Sequence, residues 1–144
     1  MALHLEIVTP EKTIFSDTVG NVYLPGADGE LGIYELHTAL VTALEPGELR
    51  YEKDGKTETL AVGGGFAEVT QERVNVLTDM ALGEAEIDEA MAEEAMKRAE
   101  EQLKGLSHDD DAEEVAHLQA MIAKQMAALK LKRKPPVAQA TSSG

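Results

Sequence analysis

Apolar and polar positions along the chain change their period near residue 84. Before that point the pattern is of strands. Leu3, Leu5 and Ile7 alternate with His4 and Glu6, the period-two signature of a half-buried strand, and Thr9-Pro10 ends the run. Residues 19–24 predict a second strand, closed by Pro25-Gly26. Residues 39–44 predict a third, closed by Pro46-Gly47. The stretch ELRYEKDGKTETLAV (48–62) holds two runs about Asp54-Gly55, a pair suited to the positive φ angles of a tight hairpin. Residues 66–70 and 73–77 form another pair across Gln71-Glu72. Many short strands at this spacing predict an all-β sandwich or barrel.

After residue 84 the period becomes helical. Residues 86–104 contain no Pro or Gly and many strong helix formers. Ile87, Met91, Ala95, Ala99 and Leu103 recur every four positions, with Ala90 and Met96 beside them, and Gly105 is a stop signal. Ser107 and the acids 109–111 offer capping oxygens and negative charge to a second helix over 110–131. Val115, Leu118, Ile122, Met126 and Leu129 are its expected inner face. Two helices joined by a short loop predict an antiparallel hairpin. The chain thus divides into a β domain (1–86), a helical hairpin (87–131) and a tail (132–144) ending in PPVAQATSSG, which reads as disordered. The hairpin is rich in Ala, so its apolar seam is narrow at ~25 cal/mol per Å². It is expected to be marginally stable alone and able to leave its docking site.

Composition narrows the function. The 144 residues suit one domain with a small appendage, and only 3% are aromatic, so the core must be aliphatic. Cysteine is absent, which excludes disulfides and thiolate metal sites and suits a reducing compartment. No secretory signal is expected, and no apolar run reaches the ~18 residues of a membrane span. Any membrane association is therefore expected to go through a partner. The net charge is −14, and residues 1–86 carry 5 Lys/Arg against 16 Asp/Glu. Such a surface repels nucleic acid. The one dense basic cluster is Lys130, Lys132, Arg133 and Lys134.

Candidate chemistry is sparse. Gly63-Gly64-Gly65 is followed by Phe66, Ala67 and Glu68, not by the Lys-Ser/Thr of a phosphate loop, and the next segment is a strand. The glycines read instead as a bend or bulge where strands cross closely. His4, His37, His108 and His117 lack metal-binding spacing. The acids 109–111 do not continue into a calcium loop, and no serine lies in a nucleophile elbow. No catalytic constellation emerges. His37 stays open between a hydrogen-bonded structural residue and a partner-facing one. The basic end of helix two stays open between helix-dipole complementarity and docking to an acidic protein surface.

Three stretches carry a family resemblance: GELGIYELHTALVTALEPGELRY (29–51), GGGFAEVTQERVNVLTD (63–79) and IDEAMAEEAMKRAEEQL (87–103). Together they closely resemble the epsilon subunits of bacterial and plastid rotary F-type ATP synthases. The resemblance covers about residues 3–131. It implies a ten-stranded β sandwich followed by a C-terminal two-helix hairpin. It also implies a non-catalytic place in the central stalk, beside the gamma subunit and on the polar loops of the c-ring, at the cytoplasmic face of the bacterial inner membrane. Such a subunit couples ring rotation to ATP synthesis in a proton-translocating enzyme and restrains ATP hydrolysis. Matched to the family's loop, Glu30, Gly32 and His37, with Leu40 and Thr42 beyond, would lie near the gamma and c-ring contacts. An extended hairpin would bring Lys124, Lys130 and Arg133 to acidic surfaces of the catalytic head.

The sequence departs from the family at two places. Glu35-Leu36 stands where Pro-Gly often precedes the histidine, so a different path of this loop is expected. Some members bind ATP through Ile/Leu-Asp-x-x-Arg-Ala and a later arginine. Ile87, Asp88, Ala92 and Arg98 match, but Met91 replaces the first arginine and cannot pair with phosphate. No cofactor is therefore expected, with ATP the one regulatory ligand that this degenerate motif brings into view.

Overall fold

A computed structural model describes residues 3–134. Of the disordered tail expected over 132–144, Lys132 instead ends the second helix and Arg133 caps it, and residues 135–144 lie outside the described residues. Ten strands precede two helices: β1 (Leu3–Val8), β2 (Thr13–Val19), β3 (Asn21–Gly26), β4 (Gly29–Tyr34), β5 (Leu40–Leu44), β6 (Gly47–Lys53), β7 (Lys56–Val62), β8 (Gly65–Val69), β9 (Arg73–Thr78), β10 (Ala81–Gly83), a 3-10 turn Glu84–Glu86, α1 (Glu89–Lys104) and α2 (Ala112–Lys132). The strands form two five-stranded layers, β10-β7-β6-β3-β4 and β5-β8-β9-β1-β2. One pairing, Gly26 with Leu44, links them. Only β1 and β9 run parallel among the paired strands of the described residues.

Alternation places Leu3, Leu5 and Ile7 of β1, Val22 and Leu24 of β3, Leu49 of β6, and Val74 and Val76 of β9 in one shared core. Across the open edge, Phe15 of β2 and Tyr51 of β6 pack with ring centroids 4.5 Å apart. Burial, then the nearby Glu58, pushes the Tyr51 phenol up. Asp54 and Gly55 adopt φ of 54° and 79°, the mirror-image turn expected of an Asp-Gly hairpin.

The periodic reading needs correction at several points. β2 has no clean alternation, and residue 19 closes it instead of opening β3. β4 contains two glycines and reads as a loop, yet it pairs with β3 over its whole length. β10 has three residues, too few for a periodic signal. These three strands were expected only through the family resemblance.

The glycine run serves strand crossing. A Cβ on Gly65 would stand 1.9 Å from the Leu77 carbonyl oxygen, and one on Gly63 the same distance from Asp79 Oδ1. The chain here passes from one layer to the other with no room for a side chain at Gly63 or Gly65, whereas a Cβ on Gly64 would meet only the Leu44 carbonyl oxygen at 3.6 Å.

Asp88 caps α1, its carboxylate accepting from the Met91 N–H at 3.0 Å. Gly105 ends that helix at φ −89°, without the left-handed turn its type permits. Asp111 precedes α2 but does not cap it by side chain; its carboxylate accepts from the Ser107 N–H at 3.0 Å. The expected inner faces also shift. Ala92 and Ala99 are buried on α1, while Met91 is exposed. A four-residue repeat drifts around a helix of 3.6 residues per turn, so position 91 leaves the face that 99 occupies. On α2, Val115, Leu118 and Leu129 are buried as expected but Met126 is exposed. Near its end α2 meets both α1 and the sandwich, so Ala127, Ala128, Leu129 and Leu131 are buried instead.

Candidate functional site

The outward face of the first layer carries an aromatic and charged platform. Tyr23 of β3 lies directly opposite Gly32 of β4. A Cβ at Gly32 would come 3.1 Å from the Tyr23 ring, so the glycine lets that ring lie flat on the sheet. Arg50 of β6 stacks over the same ring at 4.8 Å and pairs with Glu30 at 2.6 Å. The Tyr23 and Tyr34 hydroxyls meet at 2.5 Å. That bond, and then burial, raises the Tyr23 pKa. Glu30 and Gly32 are thus brought together on one rigid patch that also contains Tyr23, Tyr34 and Arg50. Those three were not singled out from sequence, because only the register of β3 with β4 and β6 brings them together.

His37 sits in the turn after β4. Its N–H donates to the Tyr34 carbonyl at 3.1 Å, and its Nδ1 lies 2.7 Å from the Thr38 carbonyl oxygen. Leu36 holds φ at 65°. A positive φ at the third residue of a four-residue turn defines the form that Pro-Gly favours at its centre. Glu35-Leu36 therefore keeps that turn, and the expected different path shows up as local strain instead. Leu40 and Thr42 on β5 point toward the half-buried inner side. Their neighbours Val41 and Ala43 point out.

The outward face of the second layer is unusually apolar. Val41, Phe66 and Leu77 are 69%, 61% and 56% exposed. Strand register sets them in two rows. Val8, Leu77, Phe66 and Ala43 lie side by side, and Glu6, Asn75, Glu68 and Val41 form the next row. The Asn75 Oδ1 atom is buried without a hydrogen-bond partner.

The hairpin docks on the first layer through a small seam of Ala61, Ile87, Ala128 and Leu131, flanked by Met80 and Leu82. Two of its four buried members are alanines, so burial contributes only about 1.5–3 kcal/mol for each of the two large side chains. Within the hairpin, Arg133 pairs with both Glu89 and Glu93 of α1, and these two carboxylates, Glu89 first, raise its pKa further. Lysines line the rest of the contact with the sandwich. Lys134 reaches Glu48 at 2.8 Å, Lys124 reaches Asp79 at 3.6 Å, and Lys132 donates to the Glu84 carbonyl at 3.2 Å. Beside this contact a groove of about 1010 Å³ is lined by Glu30, Met96, Met126, Lys130 and Arg133 among others. Of the degenerate nucleotide motif, Ile87 and Ala92 are buried in packing, Asp88 is engaged as the cap, and Arg98 pairs with Glu94 at 3.4 Å.

A family model described as the ATP synthase, Delta/Epsilon chain, beta-sandwich domain matches residues 2–84. The ATP synthase epsilon chain of Polaromonas naphthalenivorans is 43% identical over 129 residues, 89% of this chain and 94% of that one. That of Desulforamulus reducens is 48% identical over 114 residues, 78% and 86% of the two chains. Among solved structures, a chain in the mitochondrial ATP synthase of Euglena gracilis (OSCP/F1/c-ring, rotational state 1) superposes with a TM-score of 0.70 at 22% identity. It covers 88% of this chain and 78% of that one, and the likeness concerns the fold.

Proposed function

Because the chain belongs to the family of ATP synthase epsilon chains, we propose that it is the non-catalytic central-stalk subunit of a bacterial proton-translocating ATP synthase. It couples c-ring rotation to ATP synthesis and restrains ATP hydrolysis through its two helices. The sandwich is the rigid body. Glu30, Gly32 and His37, with Leu40 and Thr42, lie near the gamma subunit and the polar loops of the c-ring. The complex holds the chain at the cytoplasmic face of the inner membrane. The helices are the movable part, and Lys124, Lys130 and Arg133 meet acidic surfaces of the catalytic head when the hairpin swings out. ATP is not a ligand.

One observation carries this reading. The sandwich core and the hairpin seam are separate clusters, and the second closes over only two large side chains and two partly exposed lysine–carboxylate pairs. A body and an arm joined in that way can part without unfolding either. The test is removal of residues 87–144 in the reconstituted complex. ATP hydrolysis should rise with synthesis largely kept; unchanged hydrolysis rejects the restraining role.

A further inference from the structure

β7 has an unfinished edge beside the end of α2. Lys53 and Lys56 flank a two-residue turn, so the β7 residues whose backbone bonds to β6 are 56, 58, 60 and 62. Thr57, Thr59 and Ala61 turn their backbone groups the other way. β10 pairs only with residues 60–62. The Thr57 N–H and carbonyl are thus left at an open edge, and among the described residues they have no partner. A groove of about 640 Å³ runs along that edge, lined by Tyr51, Thr57, Thr59, Leu60, Glu84 and Lys134 among others. Lys134 ends the described chain, and its ammonium is held by Glu48, which lies opposite Ala61 in the β6–β7 register. We infer that the segment after Lys134, residues 135–141, adds a strand to β7 along 56–59, antiparallel to it and in line with β10.

Position and sequence both select that occupant. Proline cannot extend α2, so Pro135 turns the chain out of the helix at the mouth of the groove. Pro135 and Pro136 span about 6 Å as an extended connector, which carries the chain past the end of β10. They have no N–H to offer the edge, and donors begin at Val137. Residues 137–140 cover about 13 Å at strand spacing, the length of the open edge. Residues 135–144 carry no charge, so the segment meets no repulsion from Glu58 or Glu84 and desolvates no ion. A strand from another molecule competes poorly, because a tethered segment acts at an effective concentration on the order of millimolar. The added strand fastens the end of α2 to the sandwich by main-chain hydrogen bonds, and the hairpin leaves only after that strand peels away. This consequence rests on the movable-arm reading above; the pairing itself does not.

Amide hydrogen exchange of the full chain, read residue by residue by NMR, tests the pairing without any other subunit. The Thr57 amide should exchange about tenfold or more slower in the wild type than in Ala138→Pro with Gln139→Pro. Two adjacent prolines remove a donor whichever way the strand alternates, and they leave the sandwich and the helices untouched. The same variant should speed exchange at the end of α2 about two- to fivefold. Ser143→Pro, beyond the open edge, should leave Thr57 as in the wild type. Equal Thr57 rates in the wild type and the double variant overturn the inference. Thr57 protection that grows with protein concentration assigns the edge to a second copy and overturns it as well. Neither result touches the stalk reading, whose test is hydrolysis by the reconstituted complex.

Discussion

The Leu36 N–H donates to the Gln71 carbonyl at 2.9 Å while the Leu36 backbone stands at φ 65°. The bond ties the β4–β5 loop to the β8–β9 turn and holds a leucine where glycine is at ease. A left-handed leucine costs about 1–2 kcal/mol, and glycine gives part of that back through its looser unfolded chain. Leu36→Gly should therefore stabilise the protein by about 0.5–1 kcal/mol in urea unfolding. Leu36→Val, with a branched Cβ, should destabilise it. A lower urea midpoint for Leu36→Gly would show that the turn is not strained.

Gly65 and Gly63 both lack room for a Cβ, but against different neighbours. At Gly65 the obstacle is the Leu77 backbone carbonyl, which the β8–β9 pairing fixes. At Gly63 it is the Asp79 side chain, which can swing away and release Lys124. Gly65→Ala should cost about 3 kcal/mol and Gly63→Ala about 1 kcal/mol by thermal unfolding. Equal costs would mean that the glycines answer to something other than strand crossing.

Met91 and Arg98 are both exposed on α1, and Asp88 is committed to capping. Isothermal calorimetry of the wild-type chain should show no ATP binding up to about 1 mM. Met91→Arg adds one charge-assisted contact to phosphate, about 1.5–3 kcal/mol, so it should gain tenfold or more in ATP affinity. Micromolar binding by the wild type would reverse the reading of this motif.

The sequence made visible the parts of the fold that local chemistry dictates. Asp54-Gly55 announces its hairpin because few dipeptides tolerate two positive φ angles. Leu3, Leu5 and Ile7 announce β1 because one of its faces is core. β4 was hidden for the opposite reason. Gly32 is there to seat the Tyr23 ring, a contact between strands that no single segment encodes. The helix faces were misread at Met91 and Met126, where burial depends on what lies across the seam. The same limit applies to function. Glu30 and Gly32 could be named through a family pattern, but the Tyr23–Arg50 stack and the Phe66–Leu77 row exist only once register aligns separate strands.

Asp17 and Lys53 meet at 2.5 Å across the open edge of the sandwich. The Lys53 hydrogen bond, then the Thr18 N–H, holds the Asp17 carboxyl below its ordinary 3.8. The same bond raises Lys53 above 10.5. A depressed carboxyl stabilises the fold above its unfolded pKa, and that help is lost as pH falls through the folded value. A raised lysine stabilises below its unfolded pKa, and that help is lost as pH rises through its folded value. The stability difference between wild type and Lys53→Met should therefore be flat from about pH 5 to 9 and shrink below about pH 4. A difference that persisted at pH 2 would place the effect in packing of the lysine stem.

Arg133 closes the hairpin by pairing with Glu89 and Glu93 one helical turn apart on α1. The three side chains are half-exposed, so water screens the contact and its contribution is small. It ties α2 to α1 and not to the sandwich. Arg133→Gln should raise amide hydrogen exchange in α2 up to about fivefold and leave β1 and β9 unchanged. High salt should do the same to the wild type and less to the variant, which keeps only the Lys134–Glu48 and Lys124–Asp79 pairs to be screened. If exchange in α2 rises only together with the sandwich core, the hairpin and the β body open as one unit, and the arm cannot move independently of the body that carries it.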